Sequence, residues 1–534
     1  MTRLSTAQTI PALLRDQVRL GDHPAVIEGE TATSYETLHE KVRAAARGYL
    51  ARGIRHGDRV AVWAPNRLEF IVAMLGAQYV GAPVVPLNTR YTGHEAATIL
   101  QRSRASILVV DDGFLGRGFT RMLEAAVDGG GDGPIAGLPH LRTIVRIGQP
   151  AAGENRPSWE DFLAAGSAVS DADLDAAADR VTPDDVDDIL YTSGTTGLPK
   201  GVMSAHRQTI GVAYAWASGA ELTEDDRYAI VNPFFHGFGY KAGMISSLLA
   251  GTTIYPVPTL DTTAMLELIQ SERITVLPGV PTVFTSLLDH PRLSEYDTSS
   301  LRFAIAGATT APETLFRDMV HVLGFERVAQ AYGLTECVVA TLSRHGEDLE
   351  HAKQTTGPAV PGIEIRVVDA DGEDVDTGVD GEILLRGDNV MLGYFEDEEA
   401  TRAAVDGDGW FRTGDVGRLD EHGCLKITDR LKDMFIVGGF NVYPAEVENA
   451  LRQHPSVNES AVIGVEDARL GTVGRAYVAL LHGAEPVDAE ALTAFCRERL
   501  ANFKVPREIV FVEEFPRNGA GKILKTELRQ VSAS

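Results

Sequence analysis

The residues best suited to chemistry form a short run that combines hydroxyl groups, glycines and one lysine. Glycine tolerates positive φ and lets a ligand approach the backbone, so consecutive N–H groups can converge on an anion there. Hydroxyl side chains add donors, and a lysine adds a point charge. The run therefore predicts a phosphate cradle built from Thr192, Ser193, Gly194, Thr195, Thr196, Gly197 and Lys200. A flexible linker is the alternative for such a run taken alone.

This predicted cradle differs from the P-loop of kinases and GTPases. A P-loop ends in Gly-Lys-Ser/Thr, whereas Lys200 follows Pro199 and precedes Gly201. Residues 191–201 as a whole, YTSGTTGLPKG, resemble the signature loop of the adenylate-forming superfamily, which includes acyl-CoA synthetases, firefly luciferases and peptide-synthetase adenylation domains. The resemblance implies an ATP-dependent acid:CoA ligase that forms an acyl-AMP and then a thioester. ATP, Mg²⁺ and coenzyme A as co-substrate are the expected small molecules.

Further segments match the nucleotide motifs of that superfamily in order along the chain. The resemblance implies adenine contacts at Gly307, Ala308, Tyr332 and Gly333, an α-phosphate contact at Thr335, a magnesium ligand at Glu336, and ribose contacts at Asp415 and Arg430. The residue types suit these roles, because an aromatic face stacks on a base, a carboxylate oxygen is a hard ligand, and a carboxylate accepts from a diol. Taken alone, the segment at 330–336 is a turn with a solvated glutamate.

Two side chains complete the implied catalytic set of Lys522, Thr335, Glu336 and His236. In the superfamily the histidine of the segment NPFFHGFGYK, here His236, flanks the acid and gates the acyl pocket. The lysine of the segment PRNGAGK, here Lys522, is the adenylation catalyst. A lone histidine among phenylalanines is otherwise structural, and a lysine in a glycine loop is usually unremarkable.

A rotating C-terminal domain is the last implication of the resemblance. The hinge corresponds to Lys432, and rotation removes Lys522 and brings Gly438 and Gly439 beside the tunnel for the pantetheine arm of coenzyme A. Glycines there let the backbone approach a thin linear group.

A narrower likeness concerns the acid. Residues 84–92, 232–241, 438–444 and 500–504 resemble the actinobacterial acyl-CoA ligases of steroid breakdown, which act on the propanoate side chain of a methylhexahydroindanedione bicycle. The small residues Gly239, Gly307 and Ala308 are expected to border the acyl pocket. Lys241 could reach a ring ketone of the acid, but it is interpreted as a surface lysine. The alternatives are a medium-chain or aromatic acyl-CoA ligase, an adenylation domain that loads a carrier protein, an inactive acyl-binding paralogue, and a luciferase-like oxidase.

Length and composition limit the number of domains, the partners and the compartment that these interpretations allow. A chain of 534 residues predicts about three or four domains. A formal charge of 49 − 75 = −26 argues against nucleic acid and anionic membranes as partners. Cys337, Cys424 and Cys496 lack disulfide or metal-ligand spacing, and no signal peptide or membrane span is evident, so we expect a cytoplasmic protein. The oligomeric state, a homodimer included, stays open.

The elements that must position these residues alternate between helical and strand patterns. The patterns predict a helix over 34–50, strands over 59–64, 83–87 and 107–110, and a helix that starts at a capping box of Asn66 and Glu69 and runs to about 80. Such alternation predicts a parallel sheet covered on both faces. A helix–glycine–strand unit at 74–87 is echoed at 245–257, which suggests two related subdomains.

Later patterns complete the expected architecture. Alternating strands over 362–368 and 381–386 predict a β-barrel, and strands over 462–465, 476–481 and 509–512 with two helices predict a last α/β module. The fold class is α/β, with a large N-terminal domain (1–431) of two α/β subdomains plus a small β-barrel. A hinge joins it to a small mobile α/β C-terminal domain (432–534).

Overall fold

The computed structural model describes residues 4–127, 137–148, 156–193, 198–307, 313–430, 435–481, 486–516, 523 and 525–532. The predicted domain boundary and Lys432 lie outside these residues. Mixed α/β layers precede residue 343, a mainly β unit with two short helices (here called the all-β unit for its sheet) follows, and a smaller α/β unit begins at 435.

The strands up to residue 342 are β1 Pro24–Glu28, β2 Thr31–Ser34, β3 Arg59–Trp63, β4 Val84–Pro86, β5 Ala105–Asp111, β6 Thr143–Ile147, β7 Val186–Ser193, β8 Pro199–Ala205, β9 Arg227–Ile230, β10 Thr253–Pro256, β11 Phe303–Ile305, β12 Arg327–Ala329, β13 Ala331–Leu334 and β14 Cys337–Leu342. The α-helices of this region are α1 Ile10–Gln17, α2 Tyr35–Ala51, α3 Leu68–Tyr79, α4 Gly93–Ser103, α5 Phe119–Ala126, α6 Trp159–Ala165, α7 Asp171–Ala178, α8 His206–Gly219, α9 Ser246–Ala250, α10 Thr262–Glu272, α11 Pro281–Leu288 and α12 Glu313–His321. Short 3₁₀ turns span Val18–Leu20, Phe114–Gly116, Gly166–Ala168 and Leu293–Glu295, and a π-helix spans Phe238–Ile245.

The later elements are β15 Ile363–Val368, β16 Gly381–Gly387, β17 Gly393–Tyr394, β18 Phe411–Leu419, β19 Leu425–Arg430, β20 Phe435–Val437, β21 Phe440–Val442, β22 Val457–Asp467, β23 Gly471–Leu480 and β24 Glu508–Phe511. The helices among them are α13 Leu349–Ala352, α14 Glu398–Ala404, α15 Pro444–Arg452, α16 Ala489–Arg499 and α17 Lys525–Ser532. No helix in the described part of the chain is long and apolar enough to cross a bilayer.

The larger sheet carries the phosphate segment. Its strand order among the described residues is β17-β8-β7-β4-β3-β5-β6, parallel from β7 to β6 and antiparallel at β8 and β17. Both faces are covered, as predicted, since Val60 and Val62 of β3 enter one apolar core while Ala61 and Trp63 enter another. The alternation of a two-sided buried strand explains why β3 is apolar almost throughout.

The second sheet repeats part of the first. It has the order β2-β1-β10-β9, and single bridges through Val276 connect it to the parallel pair β11–β12. The echoed helix–glycine–strand unit is present in both sheets. Gly81 and Gly251 each end the helix with positive φ, at +73° and +83°, before β4 and β10 respectively.

The all-β unit and the C-terminal unit follow the predicted strand patterns. The antiparallel sheet β15-β16-β18-β19 is linked through bridges at Pro358 and Ala359 to the hairpin β13–β14, so the strands wrap around one end of the domain. After residue 435, β21-β20-β23-β22 form an antiparallel sheet with β24 parallel to β23. Helices α15 and α16 cover it through a separate apolar core around Val447, Leu492 and Cys496.

The predicted capping box at Asn66 is wrong. Helix α3 begins at Leu68 with Arg67 at the N-cap position, and Arg67 makes no side-chain capping hydrogen bond. Asn66 is instead buried, donates to the carbonyls of Ile230 and Asn232, and accepts from the N–H of Phe234. These tertiary hydrogen bonds replace the local cap, and they tie the larger sheet to the segment that carries His236.

A buried polar cluster joins β7 to the π-helix. Asp187 accepts from Gln78 and Tyr240 and lies 3.0 Å from Nδ1 of His206, and all three contacts are in the core. Burial favours protonation of Asp187, but the charge of His206 and the hydrogen bond from Tyr240 outweigh it and lower the pKa of the carboxyl.

The next residue, Asp188, pairs with a lysine. Lys241 is 1% exposed, with Nζ 2.9 Å from Oδ2 of Asp188 and 2.6 Å from Oγ of Ser204. Burial raises the pKa of Asp188 to about 6, against the opposing effect of Lys241. The interpretation of Lys241 as a surface residue is therefore wrong, and its ammonium is occupied in the core.

We expect Lys241→Met to lower the free energy of unfolding by about 3–5 kcal/mol, because it removes the cation that pairs with the buried carboxylate of Asp188. The folded-state pKa of Asp188 should then rise further above its unfolded value of about 3.9. Asp188 would bind its proton at a higher pH in the folded variant than in the wild type, so the difference in the free energy of unfolding should be largest at neutral pH and above. It should shrink as the pH falls to about 6, the wild-type pKa of Asp188. Urea unfolding at several pH values measures this. Asp188→Asn in the same background should restore part of the loss, and equal stability of Lys241→Met and wild type would refute the pairing.

Candidate functional site

The predicted phosphate segment lies at the ends of the paired strands β7 and β8. The register opposes Thr192 to Lys200 and Ser193 to Pro199. Gly194, Thr195, Thr196 and Gly197 lie outside the described part. The hairpin therefore holds Lys200 directly across from Thr192, at the end of a strand that is anchored in the core by Asp187 and Asp188.

The second predicted segment forms the hairpin β13–β14, with Thr335 and Glu336 at its turn. Gly333 is required by close packing, because a Cβ there would lie 2.0 Å from the carbonyl oxygen of Val338. Tyr332 is buried beside it. The two hairpins meet at Tyr394, whose hydroxyl donates to Oε1 of Glu336 at 2.8 Å and whose ring lies 4.9 Å from Nζ of Lys200.

Sequence reasoning missed Tyr394. Burial, followed by the neighbouring Glu336 carboxylate, raises the pKa of its phenol, so the hydroxyl stays protonated and donates. The residue belongs to the two-residue edge strand β17, which pairs with β8. No local pattern in the sequence marks so short a strand. Tyr394 lies three residues after Met391, whose N–H donates to the carbonyl of Glu336, and this proximity to Glu336 is evident only from the fold.

The predicted ribose residues also come together. Asp415 is 7% exposed, and its Oδ2 accepts from the hydroxyl of Tyr332 at 2.6 Å. The register of β18 and β19 opposes Asp415 to Arg430. The side chain of Arg430 lies outside the described part, as do Ala308 and Lys522.

The side chain of His236 is exposed, yet the protein around it lowers the pKa of the imidazole through desolvation. The N–H of Phe238 donates to Nδ1 at 3.2 Å, which assigns the proton of the neutral ring to Nε2. The ring can therefore offer an Nε2–H donor to a ligand at neutral pH.

The π-helix that follows His236 explains why the segment is rich in glycine. A Cβ on Gly239 would lie 2.3 Å from the carbonyl oxygens of Asn232 and Pro233, so close backbone packing requires glycine at this position. The expectation that Gly239 borders an acyl pocket stays a prediction. Gly307 does face the segment, since a Cβ there would lie 3.7 Å from the ring of Phe238. The wide turns of π-helices often occur at functional sites.

The C-terminal unit reaches the same region through the turn of the hairpin β20–β21. Gly438 and Gly439 are its two turn residues, with φ of +55° and +89°, the values of a tight turn that disfavours a Cβ at both positions. A Cβ on Gly439 would lie 3.0 Å from Cγ1 of Val280. Val280 follows Gly279, whose carbonyl accepts from the N–H of Gly307. The turn therefore lies beside the predicted adenine segment.

A buried ion cluster, Lys504 with Glu95 and Glu446, holds the two units together. Nζ of Lys504 is 2.7 Å from Oε1 of both glutamates, and the lysine is 4% exposed. Burial lowers the pKa of the ammonium, but the two carboxylates outweigh it and raise the pKa. Nζ also lies 4.9 Å from the ring centroid of Tyr91, and Thr92 donates to the carbonyl of Arg499.

Comparisons with known proteins extend over both units. Residues 14–395 match the family described as AMP-binding enzyme, and residues 446–522 match the AMP-binding enzyme C-terminal domain. The chain is 48% identical to the 3-[(3aS,4S,7aS)-7a-methyl-1,5-dioxo-octahydro-1H-inden-4-yl]propanoyl:CoA ligase of Rhodococcus jostii, over 98% of each chain. It is 46% identical to the Mycobacterium tuberculosis protein of the same name, over 99% of this chain and 100% of that one.

A solved structure agrees with the architecture. The o-succinylbenzoate CoA synthetase of Bacillus subtilis superposes with a TM-score of 0.79 at 28% identity, covering 97% of this chain and 98% of that one. The similarity includes both the large N-terminal and the small C-terminal unit.

Proposed function

The chain belongs to the AMP-binding enzyme family as an acyl-CoA ligase, and from that premise we propose that its acid is the propanoate of a methyl-dioxo-octahydroindene bicycle. The observation that carries the proposal is the identity of 48% and 46%, over nearly the full length of both partners, to two ligases named for that acid.

Activation of a carboxylate explains the first half-reaction. Oxide is a poor leaving group, so the acid attacks the α-phosphorus of ATP, pyrophosphate leaves, and an acyl-AMP forms. Negative charge crowds the phosphates during this step, and donors aimed at that charge stabilise it. We assign Thr192, the hairpin turn and Lys200 to the β- and γ-phosphates, and Thr335 and Lys522 to the α-phosphate. The Nε2–H of His236 is placed to orient the carboxylate of the acid.

Glu336 fits a magnesium ligand. Mg²⁺ is usually bound through one or two carboxylates together with substrate phosphates, and the donor set here is one half-buried carboxylate beside the hydroxyl of Thr335. When bound, the ion would neutralise phosphate oxygens. Tyr394 holds Oε1 of Glu336 and so orients the carboxylate.

The ribose site follows from Asp415. A carboxylate is a natural acceptor for the two hydroxyls of a diol, and Asp415 already accepts from the hydroxyl of Tyr332. We assign Arg430, opposed in register, to the same sugar. The ring of Tyr332 then serves as the adenine platform.

The second half-reaction uses the domain orientation of this structure. We assign the Gly438–Gly439 turn beside Val280 to the coenzyme A side of the site. A thiolate of coenzyme A, with an intrinsic pKa of about 8.5 for the thiol, attacks the acyl carbon and AMP leaves. The Lys504 cluster stabilises this orientation, and we infer that a rotation about the 431–434 segment exchanges it for the one that uses Lys522.

The substrate proposal is tested by pyrophosphate release and by mass spectrometry of the thioester product. We expect kcat/KM for the bicyclic propanoate to exceed that for octanoate and for a hydroxycinnamate by at least about tenfold, the discrimination that a shaped apolar pocket gives. A faster reaction with octanoate or the cinnamate would overturn the substrate. Product only on a phosphopantetheinylated carrier protein would overturn coenzyme A as acceptor.

Replacing Tyr394 by Phe tests the orientation of Glu336. The concentration of Mg²⁺ that gives half-maximal pyrophosphate release should rise about tenfold or more, since partners that orient metal ligands are typically worth about 10–100-fold in affinity. Tyr255→Phe is the matched control, because Tyr255 donates to Glu272 at 2.9 Å in the second sheet. An unchanged magnesium requirement in Tyr394→Phe would contradict the assignment.

Lys504→Met and Lys522→Ala should affect opposite half-reactions. Breaking a buried ion pair destabilises by about 3–5 kcal/mol, but the units can separate and rehydrate, so we expect at least about a tenfold slower thioester formation from supplied acyl-AMP, equivalent to ~1.4 kcal/mol. Acyl-AMP formation should persist in Lys504→Met. Lys522→Ala should lose about a hundred- to a thousandfold in acyl-AMP formation and keep the thioester step.

The control for Lys504 is Lys525→Met, which removes a charge that pairs with Glu448 inside the C-terminal unit. It should leave the ratio of the two rates unchanged. Parallel loss of both half-reactions in Lys504→Met, with an unchanged melting temperature, would refute the assignment of this cluster to one orientation.

A further inference from the structure

Three side chains, one of them distant in sequence from the other two, converge outside the acyl and nucleotide regions. Among the described residues, Glu347, His351 and Cys424 form a group whose ligand atoms all lie within 4.8 Å of one another. Glu347 and His351 lie one turn apart at the start of α13, and Cys424 ends the turn between β18 and β19. Cys424 shows no metal-ligand spacing in the sequence, because about 75 residues separate it from Glu347 and His351.

The donor atoms face one another. Nδ1 of His351 is 2.5 Å from Oε1 of Glu347, and Sγ of Cys424 is 3.9 Å from the same oxygen. Cys424 is 1% exposed, yet the group borders a cavity of about 240 Å³ that is also lined by Arg344, His345, Gly346 and His422. A small ion can therefore reach the buried sulfur from the cavity.

The remaining contacts orient this group. Nε2 of His351 is 2.7 Å from Oδ2 of Asp420, so one ring nitrogen is directed to a carboxylate while the other faces Glu347. Oδ1 of Asp420 accepts from the N–H groups of His422 and Cys424, which fixes the turn. The N–H of Arg344 holds Oε2 of Glu347. A histidine bound by a carboxylate on its outer nitrogen is the arrangement common to metal-ligating histidines.

We propose that Glu347, His351 and Cys424 bind a zinc ion that clips the β18–β19 turn to the segment before α13. Thiolate, imidazole and carboxylate together suit Zn²⁺, which takes four ligands in a tetrahedron. For Zn–S of about 2.3 Å and Zn–O of about 2.1 Å, the S···O separation is ~3.6 Å, close to the 3.9 Å present. The N···O separation must widen to ~3.4 Å as the ion replaces the bridging proton. Water or His422, whose ring lies 5.6 Å from that of His351, supplies the fourth ligand.

The test uses Co²⁺ as a spectroscopic probe on the full chain after chelator treatment. We expect one equivalent to give a near-ultraviolet sulfur-to-cobalt charge-transfer band that Zn²⁺ displaces. Cys424→Ser should lose the band, and His351→Gln should weaken binding at least about tenfold. Asp420→Asn should retain the band with about 10–100-fold weaker binding, as expected for a residue that only orients the ligand.

The matched control is Cys496→Ser, which alters another buried thiol in the C-terminal core and should keep the band. Zn²⁺ should also raise the melting temperature of wild type and of Cys496→Ser but not of Cys424→Ser, so the readout does not depend on ligase activity. Absence of the band in wild type, or its persistence in Cys424→Ser, would show that these residues form only a carboxylate–imidazolium cluster and would overturn the proposal.

Discussion

Two adjacent carboxylates at the start of β7, Asp187 and Asp188, are the constraint on which the site depends. Burying them is unfavourable unless each is paired and hydrogen-bonded. Tyr240 and Lys241 of the π-helix satisfy both from one side, and His206 of α8 contributes from another. The strand that ends in the phosphate turn and the segment that carries His236 therefore cannot shift independently, because either movement would expose an unpaired charge to a dry core.

The contact between the N-terminal unit and the small C-terminal unit depends on a different kind of interaction. It places a lysine and two carboxylates at the boundary, with Thr92 and Arg499 hydrogen-bonded nearby. Each of these groups can be rehydrated when the units separate, which an apolar seam could not do without exposing its surface to water. The charges at the boundary thus specify one orientation of the two units while leaving it reversible. The carboxylates of β7, in contrast, hold the phosphate segment and the π-helix in one fixed arrangement.

Local patterns in the sequence predicted most of the elements and the segments of the site. Periodicity located α2, β3 and β5 to within a few residues. The failures share a cause, since each involved a partner distant in sequence. Asn66 has good capping chemistry but is used by the carbonyls of Ile230 and Asn232, and Lys241 reads as a surface residue until Asp188 is brought to it. The contact of Tyr394 with Glu336 and the group of Glu347, His351 and Cys424 could not be predicted for the same reason, because their partners are distant in sequence.

Glu95 makes two different contacts at the boundary between the units. One oxygen accepts from the N–H and hydroxyl of Thr92 and so caps α4, while the other meets Lys504, which also meets Glu446. A change at Lys504 alone would leave two carboxylates with no cation between them, and a change at Glu95 would also unwind the first turn of a helix. Evolution can therefore alter positions 95, 446 and 504 only in concert. We therefore expect these three positions to covary across homologous sequences.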